Sequence, residues 1–379
     1  MAGWYLFLII IVAIVGMILL ISKFKWHPFI VLLLAGYFVG ILGGMPVDAL
    51  INTLTSGFGS ILGSIGIVII AGTIIGTILE KTGAALTMAN TILNIVGKKR
   101  APLTMSITGY IVSIPVFCDS GFVILSPINR ALAAKSGISL AVMATCLSSG
   151  LYSTHCLVPP TPGPIIMAGT LNADLGLVIL VGLLVSLAPM LVGYLYAMKI
   201  SSKFDIPANP EVSLEELVEK YGKLPGAIRS FAPILLPIVL IALKSVADFP
   251  AAPFGTGVAK SFFDFIGNPV TALILGVGLA VTLIPKSEKK GAAFTWLSEG
   301  IESSASILAI TGAGGALGAV LKTLPIADIL SNSLMQMNAG LLIPFLIAAL
   351  LKTAMGASTV AMIVTSAMIA PLMGQLGWT

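Results

Sequence analysis

Charge is scarce in this chain: only 9% of its 379 residues are Asp, Glu, Lys or Arg, where soluble globular proteins carry about 25%. A water-soluble fold is thereby excluded. Histidine is scarcer still. His27 and His155 are the two present, with no H-x-x-x-H spacing, so no metal site is expected and a metalloenzyme lacks its ligands. An intramembrane enzyme with a positioned nucleophile and base ranks lowest among the function classes. Cys118, Cys146 and Cys156 sit in apolar surroundings without C-x-x-C spacing. They read as small buried hydrophobes, neither disulfides nor metal ligands. Aromatic residues amount to 7%, and no basic patch alternates with them, so the net charge of +5 does not indicate a nucleic-acid partner. A Walker A Gly-x4-Gly-Lys-Ser/Thr sequence is also missing. ATP therefore does not drive the protein directly, and no cofactor is expected.

What is present is grease and helix punctuation: 57% hydrophobic residues, 40 Gly and 22 Pro. This composition predicts an all-α polytopic membrane protein with closely packed and broken helices. Lys and Arg fall in short loops, where they set orientation. The Ser22–His27 loop is then cytoplasmic, with the N-terminus outside. Apolar runs at 4–21, 28–44, 57–79, 175–198, 231–246, 269–284 and 303–321 read as spans, and 82–96 and 325–336 read as short amphipathic helices. Residues 199–229 are the one long polar stretch, a cytoplasmic connector in which Ser213 and Glu216 form a capping box. The connector divides the chain into a first transmembrane repeat at 1–198 and a partial second repeat at 230–379.

Residues 116–125 organise the reading, because they set Asp119, Ser120 and Gly121 between apolar flanks with Pro115 before and Pro127 after. The arms on either side are too short to span, which predicts a re-entrant hairpin with Cys118–Gly121 at its tip. A carboxylate at membrane depth is costly, and its usual purpose is to bind or relay something. Asp119 is therefore the expected proton-coupling or ligand-organising group, against the plainer reading that it caps a half-helix. Residues 148–164, with four prolines, predict a second unwound element carrying Ser153, Thr154 and His155. His155 is a second proton-coupling candidate, against a packing role. Arg130 could fork a carboxylate, or snorkel.

The halves echo each other. Gly76–Glu80 and Gly318–Lys322 each end a Gly-rich span, followed by a short amphipathic helix, an apolar run and a polar tip. The second tip is Gly356-Ala-Ser-Thr359, so Gly356, Ser358 and Thr359 join the candidate substrate site. This pattern predicts an inverted-repeat transporter with two re-entrant hairpins. The second half stops at Thr379 without a counterpart of 138–198, so the chain is expected to be incomplete at its C-terminus.

Phe117-Cys-Asp-Ser-Gly-Phe122, Ser153-Thr-His155 and Pro159-Pro-Thr-Pro-Gly-Pro164 resemble the gluconate permease family of bacterial sugar-acid symporters, over essentially the whole chain. The resemblance implies the ion transporter superfamily, paired re-entrant hairpins, elevator-type transport domains and a homodimer in the bacterial cytoplasmic membrane. It also implies import of gluconate or a related hydroxy acid with protons, the partners being a small anionic acid, a proton and the bilayer. Alternatives are a D-serine carrier of the same family and a sodium-coupled dicarboxylate-type carrier.

Overall fold

The structure is a computed structural model describing residues 3–97, 100–114, 116–208, 224–248, 257–285, 289–324, 342–355, 358–370 and 373. Among these residues every regular element is helical. The chain begins with α1 (Gly3–Ser22), α2 (Pro28–Leu42), α3 (Val47–Lys81) and α4 (Ala84–Val96). Next come α5 (Ala101–Val112), α6 (Cys118–Ser136), α7 (Leu140–Leu157), α8 (Pro162–Thr170), α9 (Leu175–Val185) and α10 (Leu187–Lys199). The rest are α11 (Ala227–Ala247), α12 (Val258–Ile266), α13 (Pro269–Val281), α14 (Lys289–Thr323), α15 (Leu342–Met355) and α16 (Ser358–Ile369). Helices expected at 213–221 and 325–336 lie outside the described residues.

Among the described residues, five helical segments are long and apolar enough to cross a membrane: Val47–Lys81, Leu140–Thr170, Leu175–Lys203, Ala227–Ala247 and Ala293–Thr323. The pair α12 and α13, bent by 61°, makes a sixth if counted as one span. Leu184, 71% exposed, and Val192, 65% exposed, belong to an apolar flank of α9 and α10 suited to lipid tails. These features make the chain a multi-pass membrane protein.

The spans expected at 57–79 and 303–321 are the middles of longer helices, since α3 and α14 each run 35 residues. Polar residues continue them instead of ending them. Thr55 Oγ1 donates to Ile51 O at 3.0 Å and Ser303 Oγ to Glu299 O at 2.8 Å. Hydroxyls folded back on the preceding turn carry their own hydrogen bonds and leave the helix intact.

The chain folds into two compact units that cut across its sequence halves. The first comprises Met1–Ile67, Ile165–Ala173 and Ala305–Thr379; the second comprises Val68–Pro164 and Asp174–Ser304. In the first unit α3 and α14 run antiparallel and close. A methyl placed on Gly57 would stand 2.7 Å from Gly315 O, and one on Gly315 would stand 2.7 Å from Gly57 O. Glycine permits this approach of two backbones.

The second unit holds further tight crossings. A methyl on Gly109 of α5 would stand 2.6 Å from Leu147 O of α7, and Gly150 of α7 lies against Ser106 O. In α11, Pro237 lacks the N–H that Pro233 O would otherwise accept. That carbonyl faces Gly276 of α13, where a methyl would stand 2.9 Å from it. Asp174 caps α9, accepting from Leu177 N–H and from the Ser245 hydroxyl of α11, each at 2.7 Å. Beyond the end of α11, Asp248 takes Lys244 at 2.7 Å and Lys260 at 2.8 Å. Those two ammonium groups hold its carboxyl below the usual carboxylate range.

The glycine crossings give a direct test. Gly109→Ala is expected to lower stability by about 1–3 kcal/mol through overpacking, read as a lower unfolding temperature of the purified protein. Gly59→Ala, with nothing within 4 Å of the added methyl, is expected to leave that temperature unchanged.

Candidate functional site

The chain leaves α5 at Val112 and re-enters a helix at Cys118. Between them Ser113 Oγ donates to Val116 O at 3.1 Å, and Pro115 lies outside the described residues. The expected tip, Cys118–Gly121, is thus the first turn of α6, and the break precedes it. Phe117 is the N-cap residue and provides no side-chain bond. The first intrahelical bond runs from Gly121 N–H to Phe117 O at 2.8 Å, so the N–H groups of Cys118, Asp119 and Ser120 stand ahead of it. Such a turn presents partial positive charge to an anion.

Asp119 is exposed, not buried among apolar groups as the sequence reading supposes. Cys118 Sγ donates to its Oδ1 at 3.6 Å. Gly121 is buried against α7, where a methyl would stand 2.8 Å from Leu151 Cδ2. Ser120 stands near a residue of another helix, Glu80, the penultimate residue of α3. Glu80 is partly buried. Beside it Lys81 pairs with Glu299 Oε2 of α14 at 2.7 Å.

Ser153, Thr154 and His155 do not lie in an unwound element. They occupy the last turns of α7, and the break is confined to 158–161, ahead of α8. Ser153 Oγ donates to Ser149 O at 2.6 Å. Thr154 Oγ1 donates to Tyr110 O at 2.8 Å. In a continuing helix Tyr110 O would receive the N–H of Ile114, which here turns to Ile111 O at 3.4 Å. Thr154 therefore satisfies a carbonyl that the α5 break releases, and both hydroxyls donate to backbone. His155 is buried, with ring centroids 6.1 Å from Phe117 and 6.4 Å from Tyr152.

The second unit thus brings together the start of α6, the end of α7 and the end of α3. Ser358 and Thr359 are the first two residues of α16, in the first unit, and Gly356 lies outside the described residues. Glu80 is the residue that sequence reasoning missed. Its position next to Lys81 at the end of a span reads as a membrane-interface charge, and only its placement near Ser120 separates it from one.

The chain matches a family described as GntP family permease over residues 5–378. It is 34% identical over 379 residues to a gluconate permease of Pseudomonas aeruginosa, covering 97% of this chain and 82% of that one. With a D-serine transporter of Escherichia coli it shares 37% over 369 residues, 96% of this chain and 82% of the other. An Escherichia coli high-affinity gluconate transporter is 30% identical over 375 residues, with 97% and 84% covered. Among solved structures, the Neisseria gonorrhoeae MtrF antimetabolite efflux pump superposes with a TM-score of 0.65 at 14% identity, covering 95% of this chain and 83% of that one. That likeness concerns the fold.

Thr154→Val is expected to leave Tyr110 O without its donor and to lower stability by about 1–3 kcal/mol. Thermal unfolding in detergent checks this. Thr154→Ser, which keeps the hydroxyl, is expected to recover most of the loss.

Proposed function

We propose that the chain, which belongs to the GntP permease family, imports gluconate or a related hydroxy acid by proton symport across the bacterial cytoplasmic membrane. Membership makes it a transporter and not an enzyme. The observation that carries the substrate class is the first turn of α6, where the N–H groups of Cys118, Asp119 and Ser120 stand beside the Ser120 hydroxyl. A carboxylate suits the N–H groups, and a hydroxyl on the adjacent carbon suits side-chain oxygens. Gluconate and L-idonate, for which relatives are named, have that form; D-serine, for which another is named, bears an ammonium on that carbon and its hydroxyl on the next.

Asp119, at the same turn, organises the substrate's hydroxyls as a hydrogen-bond acceptor. Gly121 keeps α6 close to α7. Ser153 and Thr154 hold the backbone that presents the turn, and His155 closes it from α7. Proton coupling belongs to the titratable groups at this turn, Asp119 and His155. An inverted pair of re-entrant hairpins, with Gly356, Ser358 and Thr359 at the second tip, and a homodimer complete the proposal.

The D-serine reading stays open through the relative of that name, and one experiment separates the two. Labelled gluconate uptake is measured in vesicles holding the full-length protein under an imposed pH gradient, with hydroxy acids and D-serine as competitors. Saturable, gradient-dependent uptake displaced by hydroxy acids is expected. Displacement by D-serine in preference to hydroxy acids would favour the amino-acid carrier, and dependence on sodium with indifference to the proton gradient would remove proton symport. Asp119→Asn is expected to lower uptake about tenfold or more at unchanged expression; uptake equal to wild type would take Asp119 out of the site.

A further inference from the structure

α12 reverses the pattern of a water-facing helix. Its outward ridge is Val258, Phe262 and Phe265, which are 87%, 57% and 67% exposed. Its two charged residues are tied down instead. Lys260 Nζ donates to Asp248 Oδ1, just past the end of α11, at 2.8 Å, and to Asp264 Oδ2, one turn along α12, at 2.9 Å. Lys244 of α11 meets the other Asp248 oxygen at 2.7 Å. These two lysines and two aspartates cancel, and residues 249–257 add no charge. Ile266 packs against the core formed by Ile179, Leu240, Ile241 and Ala272, which fixes the helix on its protein side. The level of α12 follows from its neighbours. A methyl on Gly267, at the join of α12 and α13, would stand 2.5 Å from Leu240 O and from Lys244 Cβ. At the far end of α13, Thr282 O accepts from Arg229 Nη2, in the first turn of α11, at 2.8 Å. With its flanking residues α13 therefore runs antiparallel to α11 from Lys244 to Arg229, and crosses the bilayer wherever α11 does. α12 is left over at that end, bent by 61° from α13.

We infer that α12 is an interfacial helix: it lies along the membrane surface, with the Val258–Phe262–Phe265 ridge seated at the boundary between lipid headgroups and acyl chains. The inference is independent of which acid the protein carries. Three placements compete for the ridge. Bulk water would face a valine and two phenyl rings with no polar group between them. A place within a span is redundant, because α13 completes the crossing beside α11, and it would draw the Lys244–Asp248–Lys260–Asp264 set into hydrocarbon, where charges are costly. The boundary suits both faces at once. An amphipathic helix buries its apolar face by about 5–10 Å there, and the last turn of α11, from Lys244 to Asp248, rises about 6 Å. The charges then stay at headgroup level while the ridge reaches the acyl chains. Lys260 acts as a clip, joining the middle of α12 to the end of α11 and holding the helix along the surface. Since the four charges cancel, the ridge is held by apolar burial and has no use for anionic headgroups. The surface concerned is the one opposite the polar connector, which precedes the other end of α11.

The test uses the full-length protein in phospholipid vesicles. Tryptophan is added singly as Val258→Trp, Phe262→Trp or Phe265→Trp, and as Leu275→Trp at the middle of α13 for a deep reference. The emission of wild type, with its four native tryptophans, is subtracted. Phospholipids brominated near the headgroup or near the chain end report depth. All three ridge positions are expected to be quenched about twofold more by the shallow bromines, to the same degree along the ridge, and Leu275→Trp is expected to show the reverse. The result should be the same in vesicles of neutral and of anionic lipid, and a requirement for anionic lipid overturns the claim that apolar burial holds the ridge. Depth that increases from Val258→Trp to Phe265→Trp would make α12 part of a span and overturns the inference. Quenching by aqueous iodide and not by lipid also overturns it. So does shielding from both quenchers, which would put a second copy of the chain on the ridge. Where a substituted chain does not fold, wild type decides. A phospholipid with a photoreactive group at the headgroup end of its acyl chain is expected to attach to residues 258–265, and attachment no greater than with the group at the chain end overturns the inference.

Discussion

A backbone carbonyl released inside an apolar interior must find a donor within the protein, because lipid supplies none. The break after α5 depends on this constraint being met. Tyr110 O receives Thr154 Oγ1, and Val116 O receives Ser113 Oγ. The Tyr110 hydroxyl in turn bonds the Leu183 carbonyl and the Ser186 hydroxyl, at the join between α9 and α10. One tyrosine thus links two interruptions, giving a carbonyl to α7 and a hydroxyl to α9. The start of α6 is held where it is by side chains whose hydrogen bonds go to backbone.

This division of labour separates support from chemistry at the tip. Ser153 and Thr154 face backbone oxygens and stiffen the end of α7, and Gly121 makes room for Leu151. The N–H groups of the first turn and the hydroxyl of Ser120 are the donors that remain near the opening.

Much of the fold is legible in the sequence, because an apolar run without charges leaves a helix little alternative. The ends are less legible. Asn52, Thr53 and Thr55 precede the span expected at 57–79, yet α3 passes through them, with the Thr55 hydroxyl bonded to the preceding turn. The same chemistry carries α7 through Ser148–His155, where the density of polar residues suggests an unwound segment; the prolines that do end it begin at Pro159. The tip can be placed to within a few residues, since Pro115 and the Asp119-Ser120-Gly121 run together disfavour a continuous helix. The family, too, can be recognised from motifs at this break. Glu80 cannot be read, because a charge at the end of a span looks the same whether it meets water or a partner from a distant helix. Only tertiary placement distinguishes the two.

The α11–α13 contact has an evolutionary consequence. Pro237 leaves Pro233 O without its helical donor, and Gly276 lets α13 approach that oxygen without a side chain between them. A Cβ at 276 would meet Pro237 Cγ at 2.7 Å, Pro233 O at 2.9 Å and Ile75 Cδ1 at 3.0 Å, so losing the proline lifts one obstacle and leaves two. The proline can therefore drift on its own, whereas the glycine stays fixed for as long as the helices keep this approach.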